Sequence, residues 1–240
     1  MLACPECART QLSNPEIKDL FVDEYYNWEY YKHVFDMGGI KEYLICGNWG
    51  DPIYYKYLIE MCRYIKAKNP STAITIHTNG SYQRDTFWKK LVKILNRFDN
   101  LVISIDGSFA NSSKYRINQQ VKDIIALTDI VSRASDPPYL VWKHIIFKYN
   151  IDSIDTAIDQ AIFLRFDHIL FTQGITLSAP ENAVEWDITW LKNKIVKHFD
   201  YVNDVVDNFE SFEGEFGVME YEDTEYEKWV RLNLASFRRV

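Results

Sequence analysis

Ile45-Cys46-Gly47-Asn48-Trp49-Gly50-Asp51-Pro52 is the stretch on which the fold of this chain turns. A short apolar run, Ile40 to Cys46, ends in it, and a helical pattern, Tyr54 to Lys66, begins just beyond. Two glycines and a proline impose an unusual backbone between the two, and Asp51 leaves one carboxylate in the open. A strand that gives way to a helix through such a turn is half of a βα unit. In α/β proteins ligands bind at the carboxyl ends of such strands.

The same alternation continues outward along the chain. Ala73 to His77 is a β-branched run bounded by Pro70 and by Asn79-Gly80. Phe87, Leu91, Ile94, Leu95 and Phe98 share one helical face, which Asp85 is placed to cap. Leu101 to Ile105 reads as a strand ending in Asp106-Gly107, and Val121, Ile124, Ile125 and Thr128 mark a helix before the breaker Asp136-Pro137-Pro138. Tyr139 to Phe147 and Ile169 to Phe171 are further strands, separated by the stripe Ile154, Ile158, Ala161 and Ile162. Ile188, Leu191, Ile195 and Val196 form the last helical face.

Five strands alternating with helices predict the α/β class, with a mostly parallel sheet, helices outside it and right-handed connections. With a sixth strand expected before Cys4, the pattern is that of a partial (β/α)6 TIM-like barrel whose first strand is missing or truncated. Residues 1–175 are expected to form this core. Residues 176–240 supply a last helical unit and an extension that turns acidic and aromatic from Glu210 to Tyr226.

A chain of 240 residues, 47% apolar and 25% charged, has enough length and hydrophobic content for one globular core. A net charge of −7 argues against a general nucleic-acid binder. No apolar run approaches the ~20 residues of a membrane span, and no basic segment followed by an apolar one opens the chain. A cytoplasmic protein with no membrane partner is the expectation.

The four cysteines, Cys4, Cys7, Cys46 and Cys62, are too few and too unevenly placed for a disulfide scaffold. Cys62 falls on an apolar helical face with Tyr54, Leu58, Met61 and Ile65, which suits a small buried hydrophobe. Cys4 and Cys7 are the one ligand-like pair. Taken alone they also suit a zinc knuckle, which would need a second Cys/His pair, or a redox motif, which would need a preceding strand. His77 and His144 lie inside strand-like runs, the pattern of buried, hydrogen-bonded histidines, and Asp152, Asp155 and Asp159 read as a solvated helix face.

Taken in order, the strand ends give Cys4…Cys7, Gly47 to Pro52, His77-Thr78-Asn79-Gly80, Ser104-Ile105-Asp106-Gly107, and Lys143 to Asn150. This ordered set resembles the radical S-adenosylmethionine (SAM) superfamily across residues 1–175. It is especially similar to the branch with SPASM-type and peptide-modifying enzymes. Family members carry Cys-x3-Cys-x2-Cys after the first strand: three thiolates hold three irons of a [4Fe–4S] cluster, and SAM chelates the fourth. The resemblance makes Cys4 and Cys7 the second and third of these ligands. The first would fall immediately upstream of Met1, so the codon there is expected to encode cysteine and the chain to be truncated at the cluster loop.

Gly47, Asn48, Gly50, Asp51 and Pro52 match the family's Gly-Gly-Glu-Pro segment, which implies that backbone carbonyls and Asp51 hold the methionyl ammonium of SAM. Thr78 and Asn79 would complete that pocket, Ser104 and Asp106 would contact the ribose, and Lys143 the SAM carboxylate. Cys46 adjoins the glycine segment in relatives too and is not counted as a cluster ligand.

The activity implied is reductive cleavage of SAM to methionine and a 5′-deoxyadenosyl radical, which abstracts hydrogen from an unknown substrate, peptide or small molecule. The cofactors are the [4Fe–4S] cluster and SAM, an outside donor supplies the electron, and no side chain of the protein is assigned as catalytic. The tail lacks the additional cysteines of a SPASM auxiliary cluster. The alternative is a degenerate, non-catalytic barrel that binds SAM or a partner. With two thiolates and no first strand, the chain is expected to assemble its cluster poorly and to be unstable or to associate.

Overall fold

The computed structural model describes residues 4, 28–47, 50–81, 83–173, 184, 186–199 and 229–234. A 3-10 turn, Trp28–Tyr31, and helix α1 (Lys32–Asp36) lead into β1 (Glu42–Ile45), α2 (Leu58–Lys68), β2 (Ala73–Thr78), α3 (Asp85–Val92), β3 (Asn100–Ser104) and α4 (Val121–Ser132). There follow β4 (Tyr139–Ile146), α5 (Ile154–Phe163), β5 (His168–Gln173), α6 (Ile188–Phe199) and β6 (Trp229–Asn233). The strands lie in sequence order, and β1 to β5 all run parallel. Parallel strands in sequence order with a helix between each pair are the topology of a partial TIM-like barrel, as the sequence pattern predicts. β6 runs antiparallel to β5, with Leu232 opposite Ile169, and was not foreseen. The strand expected before Cys4 lies outside the described residues. Among the described residues no helix is long and apolar enough to cross a membrane.

Two compact units divide the chain: Met1–Ser104 with Ile117–Leu140, and Ile105–Arg116 with Val141–Val240. In the first unit Ile74 and Ile76 of β2 and Leu101 and Ile103 of β3 are wholly buried on one face of the sheet. Thr75 and His77 stand on the other face, opposite Asn100 and Val102. Gly80, just after β2, has φ +72 and sits against Ile103 and against Ile124 and Leu127 of α4; a Cβ there would come within 3.1 Å of Ile103. The core of this unit also encloses a charge pair. Lys66 Nζ lies 2.5 Å from Asp99 Oδ1 and donates to the Thr72 carbonyl at 2.7 Å. Asp99 in turn accepts the N–H groups of Ile74 and Asn96, each at 2.7 Å, so the buried carboxylate is fully partnered.

Helix α2 begins at Leu58 rather than at Tyr54, because Asp51 and Pro52 start a separate 3-10 turn, Pro52–Tyr54. It buries Leu58, Cys62 and Ile65 at helical spacing, with Cys62 enclosed as expected. Asp85 does not cap α3. It is the first helical residue, after Arg84, which makes no side-chain cap, and its charge there complements the helix N-terminus. α3 stops at Val92 and buries Trp88, while Phe98, expected on its face, is 53% exposed. On α4 the buried stripe is Ile124, Leu127, Thr128 and Val131, and Ile125 is turned outward.

In the second unit β4 and β5 pair with Lys143 opposite Leu170 and His144 opposite Phe171. Strand alternation puts Trp142, His144 and Ile146 on the buried face with Ile169 and Phe171. Lys143, Ile145, Leu170 and Thr172 share the half-buried opposite face. Trp142 stacks on Phe109 at 5.6 Å, meets Phe166 edge-on at 5.3 Å, and donates its indole N–H to the Ile105 carbonyl at 2.7 Å. α5 buries Ile154, Ala157, Ile158 and Ala161. Asp152 and Asp159 are exposed as expected, whereas Asp155 pairs with Lys194 at 3.1 Å.

Candidate functional site

In the first unit three strand ends are tied together by one string of hydrogen bonds. After β1, Asp51 Oδ1 accepts the Ile53 N–H at 3.2 Å and so starts the 3-10 turn. Its Oδ2 accepts the Asn79 backbone N–H at 2.7 Å and the Asn79 side-chain amide as well. Asn79, at the end of β2, turns its Oδ1 back to the Ser81 N–H at 2.9 Å. The Asn79 carbonyl accepts Gln119 Nε2 at 3.0 Å, and the same nitrogen donates to the Ser104 carbonyl, at the end of β3, at 2.8 Å. Asp51, Asn79 and Ser104, far apart in sequence, are therefore brought together.

The remaining candidates of this unit surround that string. A Cβ on Gly47 would overlap the Gly50 carbonyl oxygen, so the loop closes on itself only with glycine at position 47. At Gly50 nothing stands in the way of a side chain. Pro52 is the first residue of the 3-10 turn, and Thr78 is buried, its hydroxyl accepting the Gly80 N–H at 3.1 Å. Asn48 lies outside the described residues.

In the second unit Asp106 is wholly buried and both of its oxygens are engaged. Oδ1 accepts the Ile145 N–H at 2.8 Å, and Oδ2 lies 2.6 Å from Arg116 Nε. The Tyr149 hydroxyl donates to the Asp106 carbonyl at 2.8 Å, and burial, reinforced by the Asp106 charge, pushes the Tyr149 phenol well above its ordinary range. Asn150 is spent on the backbone: its oxygen accepts the Phe147 N–H at 2.7 Å and its amide donates to the Ile145 carbonyl at 2.8 Å. Lys143 is half-buried on the open face of β4.

His144 departs from expectation. It is buried, and among the described residues neither ring nitrogen meets a partner in ordinary hydrogen-bond geometry, although Asn150 acts on the ring as a hydrogen-bonding neighbour. Burial pushes its pKa down to about 4, against the opposite pull of the nearby Asp106 and Asn150. Gln119, Arg116 and Tyr149 were all missed in the sequence. Gln119 and Tyr149 earn their places through partners about forty residues away, Arg116 through one ten residues before it, and no local motif marks any of them.

Cys4 is buried, Cys46 is exposed, neither is in a disulfide, and Cys7 lies outside the described residues. A thiolate at Cys4 is the donor type that an iron–sulfur cluster takes. Among the described residues no three His, Cys, Asp or Glu side chains gather as a metal site. The SAM side fits more fully: Asp51 is an oriented anionic acceptor suited to an ammonium.

By sequence the chain matches no family model and no curated protein. By structure it is similar to SuiB of Streptococcus suis, with a TM-score of 0.52 at 17% identity over 76% of this chain and 40% of SuiB. The chain thus spans about two fifths of that protein's length. SuiB bound to S-adenosylmethionine gives a TM-score of 0.52 at 16% identity. TYW1 with a lysine-pyruvate adduct bound gives 0.52 at 16% identity, over 98% of this chain and 76% of that one. These neighbours are radical SAM enzymes, and what the chain shares with them is the fold.

Proposed function

We propose that this chain is a radical SAM enzyme that binds SAM at the ends of β1, β2 and β3. The observation that carries the proposal is the Asp51–Asn79–Gln119–Ser104 string, present in a fold shared with SAM-bound SuiB. Asp51 would receive the methionyl ammonium, oriented by the N–H groups of Ile53 and Asn79, with Gly47 and Gly50 bringing backbone carbonyls close. Asn48, Pro52 and Thr78 would shape the same pocket, and Ser104 would contact the ribose. Cys4 and Cys7 would hold a [4Fe–4S] cluster, which when bound supplies the electron that splits SAM to methionine and a 5′-deoxyadenosyl radical.

The substrate class to try first is a peptide, because SuiB is also known bound to its precursor peptide SuiA. In the second unit Asp106 is buried with both oxygens engaged by Ile145 and Arg116, so it serves the fold rather than the ribose, and Lys143→Ala tests the role proposed for that lysine, contact with the SAM carboxylate. Residues 1–175 are proposed as the core, 176–240 as an extension, and the cytoplasm, with its electron donors, as the setting.

The test is anaerobic reconstitution of this chain, and of the same chain with a cysteine placed immediately before Met1. Iron content, SAM binding by equilibrium dialysis, and 5′-deoxyadenosine release after reduction are followed in both. SAM binding with 5′-deoxyadenosine release supports the enzyme. SAM binding without release in either chain favours a degenerate binding module, and a folded protein that binds no SAM overturns the proposal.

A further inference from the structure

We infer that Gln119 is a positioning residue for SAM; the inference rests on the SAM-binding proposal above. Gln119 precedes α4 and is 6% exposed. Its carboxamide has two N–H groups, and Nε2 lies 3.0 Å from the Asn79 carbonyl and 2.8 Å from the Ser104 carbonyl, one partner for each proton. Turning the amide over would set Oε1 against two carbonyl oxygens, so chemistry fixes its orientation. Oε1 is then left buried with no partner among the described residues. A buried acceptor without a donor is costly. The amide is therefore held for its two donors, and those donors join the ends of β2 and β3.

What this clamp positions follows from its two partners. The Asn79 backbone N–H and side-chain amide hold Asp51 Oδ2. Ser104 carries the hydroxyl proposed for the ribose. Gln119 thus sets the spacing between the residue that orients the ammonium acceptor and the residue that meets the sugar, while itself acting only through their backbone carbonyls. The next residue supports the arrangement: the Gln120 N–H donates to the Ser81 hydroxyl at 3.2 Å, and the Ser81 N–H is the one that Asn79 Oδ1 accepts. A small error in such spacing costs binding and rate out of proportion to its size.

The experiment uses the full reconstituted chain and SAM itself, with equilibrium dialysis beside thermal melts. Gln119→Met keeps the length and volume of the side chain and removes both donors. Thr128→Val, in the buried stripe of α4 but outside the string, serves as the control for destabilisation. The expected result is that Gln119→Met weakens SAM binding by about tenfold or more while Thr128→Val binds like the wild type. Gln119→Met binding within about twofold of wild type overturns the inference and leaves the SAM proposal standing. A folded wild type that binds no SAM overturns both. Should Gln119→Met fail to fold, Gln119→Glu decides: protonated, it can donate to one carbonyl, and ionised, to neither. Its SAM affinity is expected to fall with rising pH relative to wild type, and an unchanged ratio overturns the inference.

Discussion

Asp51 Oδ2 accepts the backbone N–H of Asn79 at 2.7 Å, so the carboxylate that follows β1 is held by the residue that ends β2. The same carboxylate caps the 3-10 turn through the Ile53 N–H. The side chain proposed for the SAM ammonium is therefore also one that holds the fold. Asp51→Ala leaves three N–H donors without their acceptor and is expected to cost about 1–3 kcal/mol, together with SAM binding. Asp51→Asn keeps one acceptor oxygen and should cost less stability. Urea melts and equilibrium dialysis measure the two effects, and an alanine variant as stable as wild type would contradict the account.

Gly47 and Gly50 are predicted to differ sharply. Gly47→Ala drives a Cβ into the Gly50 carbonyl, whereas Gly50→Ala meets nothing within 4 Å. The first should destabilise the protein by about 1–3 kcal/mol and weaken SAM binding. The second should leave the melting temperature close to wild type. Equal effects from the two substitutions would show that the loop does not close as described.

The Lys66–Asp99 pair tests the core of the first unit. Lys66→Met leaves the Asp99 carboxylate buried with only its two backbone donors, and a loss of about 3–5 kcal/mol is expected. The double substitution with Asp99→Asn should recover part of that loss, because the uncompensated charge is gone. Additive losses in a double-mutant cycle would argue against a coupled pair.

His144 predicts a pH dependence with a definite sign. Its pKa is depressed to about 4 in the fold from an ordinary 6.5. Between these values the unfolded chain binds a proton that the folded chain does not. The stability associated with neutral His144 is therefore complete above about pH 6.5 and is lost as pH falls toward 4, roughly 3 kcal/mol in all. His144→Phe should flatten the urea-derived stability profile over that window relative to wild type. An unaltered slope would show that His144 is not the group responsible.

Burial pushes the Cys62 thiol up to about 12, while Cys46 is exposed. Iodoacetamide at pH 8 should modify Cys46 in the native protein and reach Cys62 only after unfolding. Peptide mapping distinguishes the two. Labelling of native Cys62 at the rate of Cys46 would mean that α2 opens readily.

The strand–helix alternation was legible because the central strands of a parallel sheet are covered on both sides, and so read as β-branched or apolar runs such as Ala73 to His77 and Leu101 to Ile105. The Cys62 face of α2 was legible for the related reason that a helix repeats its buried side every three to four residues. β6 was not, since Trp229–Asn233 is a strand only through pairing with β5, distant in the chain. Helix starts shifted where a side chain chose a competing local bond, as Asp51 does with Ile53.

Candidate residues divide along the same line. Gly47, Asp51, Asn79 and Ser104 could be singled out beforehand because apolar periodicity places the strand ends and the order of polar residues there resembles that of the radical SAM superfamily. Which of them touch could not be read there. That Asp51 meets Asn79, that Gln119 joins Asn79 to Ser104, and that Asp106 is sealed beneath Arg116 depend on long-range closure. Short-range chemistry sets where each strand stops; hydrogen bonds between segments that meet only after folding set what those stops hold.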